Sequence, residues 1–186
     1  MRDLILKMSI SLDGFISAAD GDNSWMFGGD QAARTWSAEY LWQGGLHAMG
    51  GATFAAMARH WPTATDPFAA PMNAIPKAVF TRQPAEPASA SAGSWAAPHV
   101  ASGDIAAAVA RLKAMAGKPI IAHGGVDVAR SLVAEGLVDQ FVLMVIPVAL
   151  GRGEPLFADL PAPLRLTLVE STRFPGGAVA TVYRTG

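Results

Sequence analysis

Between Lys118 and Arg130 the chain reads KPIIAHGGVDVAR, and this segment constrains the fold more than any other. The short apolar run Ile120–Ala122 meets the pair Gly124–Gly125, and an apolar-periodic stretch follows and stops at Gly136. That pattern is a strand, a tight glycine turn and a helix. Such a turn aims bare backbone N–H groups, and the positive end of a helix dipole, at one point in space, which is how anions are commonly held. A plain strand-to-helix turn in which glycine relieves crowding has the same sequence.

The same rhythm runs along the chain. Leu4–Ile10 reads as a buried strand, Asp13-Gly14 as a turn, and Phe15–Ile16 as a return to the sheet edge. Residues 17–29 form a long loop around Trp25 and Phe27, and Asp30 stands where an N-cap belongs, ahead of a helix from about Gln31 to Trp42. Leu46–Met49 is a short strand, Gly50–Gly51 a turn, and Thr53–Arg59 the start of a helix. Residues 61–76 carry four prolines and read as loop, Lys77–Thr81 as a strand, and 83–98 as an Ala/Ser/Pro/Gly-rich surface loop. Asp104 caps a helix through Met115 with Ile105, Val109 and Leu112 on one face. Gln140–Val148 is a continuous apolar run typical of a central strand, 149–163 a Gly/Pro loop, and Leu164–Phe174 with Ala178–Arg184 a terminal hairpin. Strands alternating with helices and ending in a hairpin predict one α/β domain over residues 1–186. It has three layers, a mostly parallel central sheet and an antiparallel C-terminal hairpin.

Composition removes several functions. A net charge of −1 leaves no electrostatic footprint for nucleic acid. The absence of cysteine excludes disulfides, thiolate catalysis and Cys-ligated zinc. The four histidines, His47, His60, His99 and His123, show no i,i+4 pair, so no metal site is expected. No G-x-S-x-G elbow supports a hydrolase. No apolar run is long enough to cross a membrane and the N-terminus lacks the apolar region of a signal peptide. The expectation is a soluble cytoplasmic protein with a small-molecule substrate and no nucleic-acid or membrane partner.

Four segments carry a resemblance: Ser9–Ile16 (SISLDGFI), Met49–Phe54 (MGGATF), His123–Gly125 (HGG) and Pro147–Phe157 (PVALGRGEPLF). In this order and spacing they resemble the dihydrofolate-reductase-like superfamily. The nearer likeness is to the reductase domain of the bifunctional riboflavin-biosynthesis deaminase/reductase and its stand-alone relatives. The resemblance covers nearly the whole chain. It implies a dihydrofolate-reductase-like fold with NADPH across the carboxyl ends of the strands. It also implies hydride transfer to a C=N or C=O bond of a pteridine or a ribosylamino-pyrimidine. In relatives the Gly-Gly peptide matching Gly124–Gly125 is often cis.

Residue by residue, the resemblance makes Gly124, Gly125, Val126 and Asp127 a pyrophosphate-binding turn bordered by His123. The charge of Asp127 suits a helix start but repels a phosphate close by. Gly50, Gly51, Ala52 and Thr53 match a Gly-Arg-x-Thr segment in which this chain has Gly51 in the basic position. Thr81 and Arg82 match positions at the adenosine phosphate; with glycine at 51, either Arg82 supplies the charge, or the preference for NADPH is weak, or the cofactor site has decayed. Ser9 and Ile16 flank the nicotinamide. Asp13, Trp25 and Asp30 lie on the substrate side. Asp30 is the candidate proton donor, as a carboxylate at the start of the first long helix, although counting back from Met49-Gly50 lands on Arg34 instead. Asp30 also reads as a plain N-cap, and Asp13 as a turn former. The leading expectation is an NADPH-dependent reductase. The alternatives are a ligand-binding protein that kept the fold without the chemistry, and a structural subunit. The apolar terminal strands imply a homodimer.

Overall fold

The computed structural model describes residues 1–27, 30–81, 93–158 and 160–186. In chain order the strands are β1 (Leu4–Ser11), β2 (Phe15–Ala18), β3 (Leu46–Gly50), β4 (Lys77–Thr81), β5 (His99–Ser102), β6 (Ile120–Ala122), β7 (Gln140–Ile146), β8 (Gly153–Pro155), β9 (Leu166–Arg173) and β10 (Val179–Thr185). The helices are α1 (Gln31–Leu41), α2 (Gly51–His60), α3 (Ala69–Ala74), α4 (Ile105–Ala114) and α5 (Val126–Ala134). Eight strands make one sheet in the order β5-β4-β3-β6-β1-β7-β10-β9. The first six are mutually parallel, and β10 and β9 form the antiparallel hairpin at the far edge. The predicted three-layer α/β architecture is the one observed.

The period of two explains the layers. Leu4, Leu6 and Ile10 of β1 pack with Phe141 and Leu143 of β7 against Leu112 of α4 and Leu132 of α5. Ile5 faces the other way, with Ile121 and Val142, against Leu41 of α1, Phe54 of α2 and Met72 of α3. Both faces are covered, so both sets of side chains are apolar and the runs read as continuous rather than alternating.

Three segments differ from expectation. Phe15–Ile16 does not rejoin the main sheet; β2 pairs with β8 in a separate two-stranded sheet. The 61–76 segment holds α3, because Pro71 lies in its first turn, where the missing N–H has no intrahelical acceptor to lose. Strands β5 and β8 are new, one of four residues and one of three, too short to show a period.

The β2–β8 pair ties two of the recurring sequence segments together. Ser11 Oγ (2.6 Å) and the backbone N–H groups of Gly151 (2.7 Å) and Leu150 (3.1 Å) donate to the Asp13 carboxylate. These bonds, that of Ser11 first, hold its pKa down to about 2. Leu156, fully buried, donates its N–H to Gly14 O at 3.1 Å, and Arg130 of α5 pairs with Glu154 at 3.0 Å. Gly153, at φ +155°, lies so close to β2 that a Cβ would stand 2.2 Å from Ser17 O.

A row of bases crosses the sheet face under α1, α2 and α3. Lys77 is 1% exposed and His47 0%. The Lys77 ammonium donates to Ile75 O and to Ser94 Oγ and lies 4.3 Å from the Trp95 ring centroid, a cation–π contact. The His47 and His123 rings meet edge to face at 4.6 Å. Burial lowers all four bases in this row: Lys77 to about 7, Lys7 to about 8, His123 to about 3, and His47 further still. The folded state therefore binds fewer protons than the unfolded chain over two ranges.

Two predictions follow from this packing. Stability falls as pH drops from about 6.5 toward the folded histidine values, where only the unfolded chain protonates, and rises between about pH 7 and 10.5 as the lysines discharge. Thermal melts across pH will show both limbs, and Lys77→Met will flatten the alkaline one; an unchanged alkaline limb would contradict the assignment. Separately, Gly153→Ala will lower the melting temperature by several degrees, because the obstructing atom is backbone and cannot swing aside. An unaltered melt would show that the β2–β8 contact is looser than described.

Candidate active site

Because six strands run parallel, their carboxyl ends share one edge, and three strand-to-helix junctions meet there with the end of β4. They enclose a cleft of 510 Å³, a volume within the range of small-molecule pockets. Gly50, Gly51, Ala52 and Thr53 line it from the β3–α2 junction, Phe80 and Thr81 from the end of β4. Ala101, Gly103 and Ile105 line it from the β5–α4 junction, and Gly125, Val126 and Asp127 from the start of α5. Two of the glycine junctions are tied directly: Gly50 N donates to Gly124 O at 3.0 Å.

The helix starts at this edge are not alike. Asp104 caps α4, accepting from Ala107 N, and at the start of α1 Asp30 accepts from Ala32 N and Ala33 N. The N-caps of α2 and α5 are Gly50 and Gly125, and neither helix has a side-chain cap. Their first-turn N–H groups therefore have no intrahelical and no side-chain acceptor, and both helices begin in the cleft. Gly125 has φ +37°, and a Cβ there would lie 2.9 Å from Thr53 Oγ1. A bare backbone at this point keeps the Thr53 hydroxyl and two sets of open amides facing one space. The peptide joining Gly124 and Gly125 is trans, unlike the cis form the resemblance implied.

The cleft gathers Gly50, Gly51, Ala52, Thr53, Thr81, Gly125, Val126 and Asp127 of the residues expected from sequence. Gly124 sits just behind it, where a Cβ would meet Met8 Sδ at 3.0 Å. Arg82 lies outside the described residues. The described lining contains no lysine or arginine, and it contains two carboxylates, Asp127 and Glu135. Sequence reasoning missed the β5–α4 contribution. Its signal was present as Gly103-Asp104 ahead of a periodic segment, the same glycine-then-helix pattern seen elsewhere.

Other expected site residues have different roles. Asp30 is the N-cap of α1. Its carboxylate accepts from Gly176 N at 2.6 Å as well as from Ala32 N and Ala33 N, and these bonds, that of Gly176 first, lower its pKa below the ordinary value. Three donors to one carboxylate favour its ionised form. Asp13 pins the β7–β8 loop rather than facing the cleft. Ile16 is 2% exposed in the core. Ser9 is half-buried on β1, and His123 turns its ring to the α1 side of the sheet, against His47. Trp25 is half-buried in a single 3₁₀ turn, its buried indole N–H without a partner in the structure. Among the described residues no three histidine, aspartate or glutamate side chains gather to hold a metal.

Comparison with known proteins agrees with the fold. The family model of the RibD C-terminal domain matches residues 2–180. The uncharacterized protein YyaP of Bacillus subtilis (strain 168) is 29% identical over 187 residues, covering 98% of this chain and 94% of that protein. Among solved structures, a Shewanella sp. PV-4 protein superposes with a TM-score of 0.73 at 21% identity over 99% of both chains. A Thermotoga maritima diaminohydroxyphosphoribosylaminopyrimidine deaminase/5-amino-6-(5-phosphoribosylamino)uracil reductase gives a TM-score of 0.67 at 17% identity, over 100% of this chain and 57% of that one. The family match spans the parallel sheet and all the junctions that line the cleft, and the chain belongs to the RibD C-terminal domain family, whose fold is dihydrofolate-reductase-like.

Proposed function

We propose that this chain is a reductase that uses NADPH to reduce a heterocyclic substrate, a pteridine or a ribosylamino-pyrimidine. The observation that carries the reading is the pair of uncapped helix starts, α2 and α5, opening into one cleft with the Thr53 hydroxyl between them. Open amides at two helix N-termini fit a pyrophosphate, which carries the anionic oxygens those donors lack. Thr81 lines the cleft at the end of β4 and Arg82 follows it in the sequence, which supports a phosphate of the nucleotide being held on this side. Bound NADPH supplies the hydride, and the chain's part is to hold the cofactor by its phosphates and to keep the reacting face dry. The Thermotoga maritima protein of the same fold is named a 5-amino-6-(5-phosphoribosylamino)uracil reductase, which supports the ribosylamino-pyrimidine class.

A second reading, a ligand-binding protein without catalysis, draws on one observation: Asp30 is committed as a cap. The two readings separate on NADPH oxidation. The reductase reading expects NADPH to bind at micromolar concentration by its fluorescence change. It also expects oxidation on addition of 5-amino-6-(5-phosphoribosylamino)uracil or a dihydropteridine. Gly125→Val, which places a side chain against Thr53, will weaken NADPH binding by about tenfold or more, a change of about 1.4 kcal/mol. No NADPH binding at hundreds of micromolar ends the reading. Binding without oxidation of either substrate favours the second.

The homodimer belongs to the same proposal. β9 is an edge strand exposed along most of its length, with Leu168 53% and Val169 58% exposed, a surface that a second copy would cover. Sedimentation at micromolar concentration will give twice the chain mass, and a monomer would reject it.

A further inference from the structure

The start of α1 lies at the same edge of the sheet as the cleft. Its cap, Asp30, accepts from Gly176 N in the β9–β10 turn, and β10 begins beside the carboxyl end of β7. One turn into the helix stands Arg34, half-buried. Its guanidinium carbon lies 5.9 Å from the centroid of the Phe68 ring. Phe68 immediately precedes α3, and its ring meets that of Trp61 at 6.1 Å. Trp61 opens the 3₁₀ turn that follows α2. The α1 start and the Trp61–Phe68 segment therefore face each other across a cation.

Donors around this cation outnumber acceptors. A guanidinium has five N–H groups. Arg34 uses one, in a long 3.4 Å bond to Phe27 O, and none of the ion pairs found among the described residues includes it. The carboxylates at hand are engaged elsewhere or face water. Asp30 accepts from Ala32, Ala33 and Gly176 N, Asp66 accepts from Phe68 N at 2.8 Å, and Glu39 is exposed. The indole N–H of Trp61 is buried without a partner, and so is that of Trp25, two residues before Phe27. Buried donors without acceptors are uncommon in folded chains. Here two of them accompany an arginine with spare donors, linked to it through Phe68 and Phe27, and a group with anionic oxygens completes such a set.

We infer that Arg34 anchors the anionic end of the substrate, a phosphate or a carboxylate, between α1 and the Trp61–Phe68 segment. The inference rests on the proposed reductase function and concerns the part of the substrate away from the reacting bond. A guanidinium grips either oxyanion through two parallel N–H groups, and the Phe68 face supports it from one side. Arginine keeps its proton, so Arg34 supplies affinity rather than proton transfer. It is a residue of KM and of substrate choice, and kcat does not depend on it.

Two pairs of compounds test this on the wild-type protein with NADP⁺ present, which has no hydride to give. One pair is 5-amino-6-(5-phosphoribosylamino)uracil and its nucleoside without the phosphate. The other is dihydrofolate, whose tail carries carboxylates, and dihydrobiopterin, which has none. Calorimetric titration will show one anionic compound binding about 30-fold or more tightly than its uncharged partner, and the pair that shows it names the anion. Added salt will weaken that compound alone. Arg34→Met, a substitution that suits a helix, will abolish the difference and raise KM for the anionic compound by about the same 30-fold. Its uncharged partner will bind as before, kcat will stay within about threefold, and NADPH binding within about twofold, none of which a general loss of structure would allow. Arg34→Lys, with the charge but not the fork, will recover part of the affinity. Equal affinities within both pairs in the wild type, binding of none of the four, or a difference that survives Arg34→Met overturns the inference and leaves the reductase standing wherever NADPH binds and is oxidised. The wild-type comparison decides the matter even if Arg34→Met folds poorly. Absence of NADPH binding and of turnover overturns the two together.

Discussion

The first-turn N–H groups of a helix have no acceptor within the helix, and what each helix does about that organises this protein. α1 and α4 close the account with Asp30 and Asp104. α2 and α5 begin at Gly50 and Gly125 and do not. A parallel sheet delivers every strand to the same edge, so the two unclosed starts lie side by side instead of at opposite ends of the molecule. The hydrogen bond from Gly50 N to Gly124 O holds them there, and the absence of a side chain at Gly125 keeps Thr53 open to the same space. The hydrogen-bond-donor character of the cleft is thus a backbone property. It comes from topology and two glycines, without a basic side chain among the described lining residues.

The opposite face of the sheet carries the cost. Lys7, His47, Lys77 and His123 occupy positions that an ordinary α/β core fills with valine or leucine, and no carboxylate compensates them among the ion pairs described. Lys77 is satisfied locally, by Ile75 O, Ser94 and the face of Trp95. His47, with both ring nitrogens buried and unpartnered, and His123, with Nε2 so, are left incompletely satisfied.

Much of the fold was legible because periodicity is local. Leu4–Ser11, Gln140–Ile146, the α1 and α4 starts at Asp30 and Asp104, and the terminal hairpin all stand where period, cap and turn residues put them. α3 was hidden by Pro71, which reads as a breaker unless it falls in a first turn. β5 and β8 were hidden by brevity, since a strand of three or four residues is made by its neighbours and carries little pattern of its own. The site was legible in its glycines and hydroxyls, Gly50 to Thr53, Thr81 and Gly125 to Asp127. It was not legible in its ionisable groups. Two of the four segments behind the family resemblance proved to be halves of one structural clasp, Asp13 on Leu150 and Gly151, and Gly153 against Ser17.

What the sequence by itself determined is the alternation of elements, the parallel sheet with its antiparallel edge, and the glycine turns that leave two helices uncapped. These depend on residues within a few positions of one another. What only the tertiary structure decided is the chemical state of each side chain. Asp30 is locked as an ionised cap by Gly176, 146 positions away in sequence, and Asp13 by Leu150 and Gly151 across 137 and 138. Lys7 meets Ser37, and His47 meets His123, only because β1, β6, β3 and α1 fold over one another. Protonation answers to burial and to hydrogen-bond partners, and both are set by contacts distant in sequence, so no local pattern could say which of these groups still has a proton to give.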